Sequence, residues 1–296
     1  MPKTFTCPTV QLRSFSGVTD VIKLDSNLKL PENGNRMTGA LVILHGLFGS
    51  KRNWNSLSKQ FMEELDIPVY ALDLRNQGES PHVRPMDYTH MAKDVLHFIK
   101  ENGLNRVNLL GHSMGGKAAM SLALHPDVSD SGLISSLIVA DVSPTRAELS
   151  PEFKGYIQGM KKIESLKVTS KKDAEKILRD YEPDPTIRMF LLTNLCPITK
   201  AHPYARFRVP LDILDDAIPE IGSFPYLPGE REFKGRTLFI KGTQSAYINR
   251  HSMSAIHSFF PNMKMAELDA GHWVHGERPA EFLRLVSDFI GVHKKN

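Results

Sequence analysis

Gly111-His112-Ser113-Met114-Gly115 places a serine between two glycines, with the apolar run Val107-Asn108-Leu109-Leu110 directly before it and Gly116, Ala118 and Ala119 directly after. Strand pattern, G-x-S-x-G and small-residue helix pattern together predict a strand, a sharp turn and a helix, with the Ser113 hydroxyl thrust out at the strand's carboxyl end. The glycines answer a steric need: a residue turning so sharply is held in strained geometry, and side chains beside it would collide with the adjoining strand and helix. The following helix aims its N-terminal dipole at any negative charge that develops there. A bare G-x-S-x-G also occurs in ordinary loops, so the flanking pattern carries the weight.

A serine hydroxyl is a poor nucleophile until a base takes its proton, and a neutral imidazole is the side chain suited to that work near neutral pH. Of the 12 histidines, His272 follows a strand pattern and Gly271 near the end of the chain, where a parallel sheet brings it to the edge from which Ser113 emerges. His275, three residues on, is the competitor and reads better as a packed residue. His112 points away from the turn, and His45 reads as a brace for the loop that follows it. The acid that orients the base should lie between serine and histidine in such a triad. Lys241-Gly242-Thr243-Gln244-Ser245-Ala246-Tyr247 has no carboxylate, and no Asp or Glu occurs from Phe233 through Ala266. Asp141, at the end of the run Leu137-Ile138-Val139-Ala140, is therefore the candidate acid, with a loop cap as its plainer reading. Asp269 reads as strand-end structure.

Stabilising an oxyanion needs backbone N–H donors, and two loops offer them. Met114 opens the helix after Ser113. Leu47 lies in His45-Gly46-Leu47-Phe48-Gly49-Ser50 after the apolar run Ala40 to Leu44, a stretch that could otherwise be a plain strand-to-helix turn. No H-E-x-x-H is present, His272 and His275 lack a third ligand, and Gly46 to Lys51 does not have P-loop spacing, so no metal or cofactor is expected.

These residues need a scaffold of alternating strands and helices. An edge strand is expected over Val18 to Leu24, followed by buried strands at 40–44, 69–72, 107–110 and 137–140. Helices follow from Asn53 and Asp87 and after Ser113. That rhythm predicts a mostly parallel sheet with helices on both faces, an α/β fold. Asp73 and Arg75 are expected to pair with each other in the loop after the third run. The rhythm breaks over 145–232, which holds 9 of the 19 prolines and short helix patterns at Asp173 to Tyr181 and Thr186 to Leu195. This region is expected to be a mainly helical cap, placed after strand 6 of the fold. Strand and helix patterns resume at Thr237 to Ile240, Ser252 to Phe260, Met263 to Leu268 and from Pro279. The expected organisation is 1–15 as a transit segment, 16–144 and 233–296 as the two parts of the core, and 145–232 as the cap.

With 296 residues, 41% of them hydrophobic, one domain with an insertion can bury a sizeable core. No apolar run is long enough to span a membrane. The net charge of +4 comes from scattered lysines and arginines, which read as solvated surface rather than a nucleic-acid site. Two cysteines, Cys7 and Cys196, make a disulfide framework improbable and suggest a reducing compartment. Residues 1–19 hold Lys3, Arg13, six Ser or Thr and no acid, with Arg13-Ser14-Phe15-Ser16 like a mitochondrial processing pattern. Mitochondrial residence is expected on that ground, an irregular cytosolic N-terminus being the alternative.

The glycine-rich serine turn, the His45 to Ser50 loop, Asp73-Leu74-Arg75-Asn76, Asp141-Val142-Ser143-Pro144 and Gly271-His272-Trp273-Val274-His275 together resemble the α/β-hydrolase superfamily. Over residues 20–291 the chain is similar to the branch holding abhydrolase-domain-containing protein 11, small bacterial esterases and fungal ethanol acetyltransferases. The resemblance implies a Ser113, Asp141, His272 triad acting mostly on short-chain acyl esters, and mitochondrial residence for eukaryotic members. Asp127 to Gly132 looks longer than is usual there. The expected activity is ester hydrolysis through an acyl-enzyme on a small-molecule ester or thioester. The alternatives are acyl transfer to an alcohol by the same residues and a non-catalytic binding module on the same fold.

Overall fold

Along the second strand, Leu41 and Ile43 pack into one apolar cluster while Ala40, Val42 and Leu44 pack into another. Successive side chains of a strand point to opposite faces, so a run that is apolar at every position belongs to a sheet covered on both sides. The computed structural model describes residues 21–32 and 39–291. Its strands are β1 (Ser26–Lys29), β2 (Ala40–Leu44), β3 (Val69–Leu72), β4 (Val107–His112), β5 (Ile134–Ala140), β6 (Thr237–Gly242) and β7 (Met263–Leu268). They form one sheet in the order β1-β3-β2-β4-β5-β6-β7. β1 pairs antiparallel with β3 and every other pairing is parallel.

Helices α1 (Asn55–Leu65), α2 (Tyr88–Glu101) and α3 (Met114–Ala123) belong to the first part of the chain. α4 (Pro151–Ser165), α5 (Lys171–Leu178), α6 (Pro185–Leu191) and α7 (Leu211–Gly222) lie between β5 and β6. α8 (Met253–Phe259), α9 (Val274–Glu277) and α10 (Pro279–Ile290) complete the fold. α1 and α10 cover one face through Leu57, Phe61, Leu65, Phe282, Val286 and Ile290. α2, α3 and the inserted helices share the larger cluster on the other. This is the α/β-hydrolase arrangement, with the helical insertion between β5 and β6 of the described strands.

Several local expectations change. The edge strand lies at Ser26–Lys29, downstream of Val18 to Leu24, whose first three residues lie outside the described ones, as does the transit segment. Ile22 and Leu24 are buried without strand pairing, because the Ile22 N–H donates to the Asp94 carboxylate at 2.9 Å instead of to a ladder. The insertion is more helical than its prolines suggested. Pro151 and Pro185 open α4 and α6 at a position where the missing N–H has no intrahelical acceptor to lose, so they start helices instead of breaking them. Cys196 is buried, and Cys7 lies outside the described residues. Among the described residues no helix is long and apolar enough to cross a membrane.

Asp73 and Arg75 do not pair with each other. Asp73 accepts from the Lys51 backbone at 2.6 Å, from the Lys51 ammonium and from the Glu79 N–H at 2.8 Å. Arg75 is fully buried and forms a two-pronged pair with Asp94, at 2.6 and 2.9 Å. In a strand-end tripeptide, Asp73 and Arg75 face partners from different elements, and a fully buried guanidinium needs a carboxylate in matching geometry. Replacing Asp94 by alanine strands that charge and removes the Ile22 acceptor. Asp94→Ala is therefore expected to cost about 3–5 kcal/mol of stability, read by chemical denaturation.

Candidate active site

The turn after β4 is held by contacts that only hydrogen atoms permit. Ser113 sits at φ 52°, ψ −120°, a strained backbone conformation for a residue with a side chain. A Cβ on Gly111 would reach the carbonyl of Gly115 and come within 2.7 Å of the Gly116 Cα; on Gly115 it would lie 2.5 Å from the His45 carbonyl oxygen. A Cβ on Gly116 would fall 2.6 Å from a Val142 side-chain methyl. Backbone therefore packs on backbone, and α3 starts directly behind the serine.

His272 reaches Ser113 from the loop after β7. Its Nε2 lies 3.0 Å from Ser113 Oγ, and its Nδ1 lies 2.8 Å from Asp141 Oδ2. A buried carboxylate only accepts, so Nδ1 carries the hydrogen and Nε2 presents its lone pair to the serine hydroxyl. Asp141 is fully buried at the end of β5, with φ 49°. Its Oδ1 accepts the Gly242 N–H at 3.0 Å, and its Oδ2 also accepts the Ser245 hydroxyl. The loop after β6, which lacks a carboxylate of its own, thus holds the carboxylate of the neighbouring strand. From that same loop the Tyr247 ring stacks on the His272 imidazole, centroids 4.1 Å apart. Burial, and then the charge of Asp141, push the Tyr247 phenol up to about 12. Glu277 fixes the His272 loop from the other side, accepting the Gly271 N–H at 2.8 Å and the Trp273 N–H at 3.3 Å. Ser245, Tyr247 and Glu277 were missed in the sequence because none stands in a motif; the run without carboxylates was the one available pointer to the first two.

The remaining histidines separate by burial. His112 donates from Nε2 to the His272 carbonyl at 2.9 Å, and His45 is bonded to the Gly46 carbonyl at 2.8 Å and to the Leu74 N–H at 3.0 Å. His275 stacks on Trp54 at 4.3 Å, and burial, followed by the charge of His272, lowers it to about 3. Asp269 is exposed and pairs with Gln244 and Arg278 at the end of β7.

The two candidate oxyanion donors flank the serine. Met114 opens α3, so its N–H has no acceptor within the helix. Among the described residues the Leu47 N–H has no hydrogen-bond partner. A Cβ on Gly46 would lie 3.3 Å from the Ser113 Cβ, which shows how closely this loop approaches the elbow. The insertion meets both loops: Phe153 and Tyr156 pack on the Phe48 ring, and Phe190 packs on Trp273. Lys117 of α3 donates to the carbonyls of Thr145, Gly222 and Ser223 at 2.8–2.9 Å, tying the helix behind Ser113 to the insertion's end. Burial brings its ammonium down to about 8. Among the described residues no three His, Cys, Asp or Glu are grouped to hold a metal ion.

The family model of the alpha/beta hydrolase family matches residues 41–285. The chain belongs to the alpha/beta hydrolase family. It is 36% identical over 251 residues to an abhydrolase domain-containing protein of Schizosaccharomyces pombe, covering 84% of this chain and 91% of that one. It is 36% identical to the sn-1-specific diacylglycerol lipase ABHD11 of Mus musculus (87% and 83%), and 33% to ethanol acetyltransferase 1 of Wickerhamomyces anomalus (86% and 69%). A solved marine microorganism esterase superimposes with TM-score 0.81 at 33% identity, covering 90% of this hydrolase and 99% of that chain.

A histidine held neutral in the folded hydrolase takes up its proton on unfolding once the pH drops below its ordinary value. His275, lowered from 6.5 to about 3, therefore contributes stability that is present above pH 6.5 and lost as the pH falls toward 3. Burial lowers His45 and His112 in the same direction. At its steepest each such group changes stability by about 1.4 kcal/mol per pH unit. His275→Phe, which keeps an aromatic ring against Trp54, is expected to flatten the curve of unfolding free energy between about pH 4 and pH 7 by its own share. An unchanged slope would contradict the assignment.

Proposed function

We propose that the chain is a serine hydrolase that cleaves carboxylic esters, mainly with short acyl chains, through an acyl-enzyme. The observation that carries this reading is the hydrogen-bonded chain Ser113–His272–Asp141 beside two unpartnered backbone donors. His272 Nε2 takes the proton from Ser113 Oγ as the oxygen attacks the ester carbonyl. The Leu47 and Met114 N–H groups receive the oxyanion, and Asp141 stabilises the imidazolium without itself being protonated. The tetrahedral adduct collapses as His272 returns the proton to the departing alkoxide. Water then repeats the sequence on the acyl-enzyme, releasing the acid and restoring Ser113. No step calls for a metal or cofactor. Residues 145–232 act as a lid that shapes access, and Phe153, Tyr156 and Phe190 give that access an apolar wall.

A second reading replaces water by an alcohol in the last step, with acetyl-CoA or another ester as donor. Its support is the likeness to proteins named ethanol acetyltransferase. Mitochondrial residence rests on the composition of residues 1–19, and N-terminal sequencing of the mature protein from cells, with cleavage after Phe15 expected, tests it.

A p-nitrophenyl ester series from acetate to palmitate is expected to show turnover falling with chain length. Ser113→Ala should lose both this turnover and labelling by a fluorophosphonate, and Asp141→Asn should lower kcat by about 10⁴. Retention of both by Ser113→Ala ends the proposal. Ethyl acetate formed from acetyl-CoA and ethanol, faster than acetate, would favour the second reading.

A further inference from the structure

The Leu47 donor is not held by its own strand. Phe48, the next residue, has φ 60°, a left-handed conformation unusual for a bulky side chain. Its carbonyl accepts a 2.8 Å hydrogen bond from the side-chain amide of Asn194, 146 residues away in the helical insertion and buried to 3% exposure. We propose that Asn194 is a positioning residue for the oxyanion donor Leu47, an inference that rests on the ester hydrolysis proposed above.

The link runs through two planar peptide units. The Phe48 carbonyl and the Gly49 N–H belong to one unit. That N–H donates to the Gly46 carbonyl at 3.0 Å. The Gly46 carbonyl and the Leu47 N–H belong to the next, so clamping the first unit orients the second and sets where the Leu47 N–H points. Asn194 is itself held: its carbonyl accepts the Arg208 N–H at 2.8 Å, and the Arg208 guanidinium pairs with Glu79. Glu79 in turn pairs with Arg52 at 2.9 Å, in the turn just after the oxyanion loop. A ring of contacts therefore runs from loop to insertion and back. A polar cavity of about 290 Å³, lined by Asn194, Ser50, Arg52 and Arg208 among others, adjoins it, so water can enter where the amide is removed.

The test uses the full chain with p-nitrophenyl acetate, comparing wild type, Asn194→Ala and Asn194→Asp. Asp keeps the volume but offers no donor to the Phe48 carbonyl, and it carries the test if the alanine form does not fold. Direct loss of an oxyanion donor costs about 10²–10³ in kcat. A misaimed donor should cost less, about 10- to 100-fold, with KM within about threefold. Inhibition by a trifluoromethyl ketone, which becomes an oxyanion on Ser113, should weaken by the same factor as kcat. Inhibition by the matching secondary alcohol, which cannot form one, should not. Turnover within twofold of wild type in both variants, or equal weakening of ketone and alcohol, overturns the inference. Ester cleavage that survives Ser113→Ala overturns the parent reading and this one together, whereas Ser113-dependent cleavage indifferent to residue 194 overturns this one alone.

Discussion

Between β4 and α3 the main chain lies directly against the main chain of its neighbours, Gly111 against Gly115 and Gly116, and Gly115 against the ends of Leu44 and His45. That contact has no room for a methyl group, and it forces Ser113 into a conformation that side-chain-bearing residues rarely adopt. The strain is sustained because β4 is central in the sheet, flanked by β2 and β5 and covered on both faces. The same close packing brings the His45 to Ser50 loop beside the serine and lets β5 deliver Asp141 to the same rim.

Buried carboxylates then fasten the loops that this edge exposes. Asp141 gathers the β6 loop and the His272 imidazole, Asp73 gathers the turn after the His45 to Ser50 loop, and Asp94 gathers Arg75 and the chain's entry into the sheet. Each sits among several donors, which offsets the cost of removing a charge from water. The loops are thus positioned by a few charge-assisted bonds reaching across elements, while their surfaces remain available to a substrate.

Burial also sorts the imidazoles. His45, His112 and His275 are enclosed and pushed toward the neutral form, and they serve as spacers and hydrogen-bonding struts. His272 keeps 14% of its side chain exposed and has an anion beside one nitrogen and a hydroxyl beside the other. A general base must reach the proton it takes, and of these four rings only His272 bonds to Ser113.

Sequence alone determined the sheet's rhythm, the serine turn and the identity of His272 and Asp141 as candidates, because each has a local signature: apolar runs, glycines at fixed spacing, and a stretch without carboxylates that left few acids to choose from. It misjudged Asp73 and Arg75, which are two positions apart yet meet partners from other elements, and it underestimated helices that begin on prolines. Ser245, Tyr247, Glu277 and Asn194 were invisible, since a hydroxyl, a phenol, a carboxylate or an amide in a loop has no pattern until the chain folds it against its target. Only tertiary structure decided these, because each acts through a contact no local pattern encodes: Ser245 and Asn194 bond to partners 104 and 146 positions away, while Tyr247 and Glu277 meet the His272 loop only once the chain has folded back on itself.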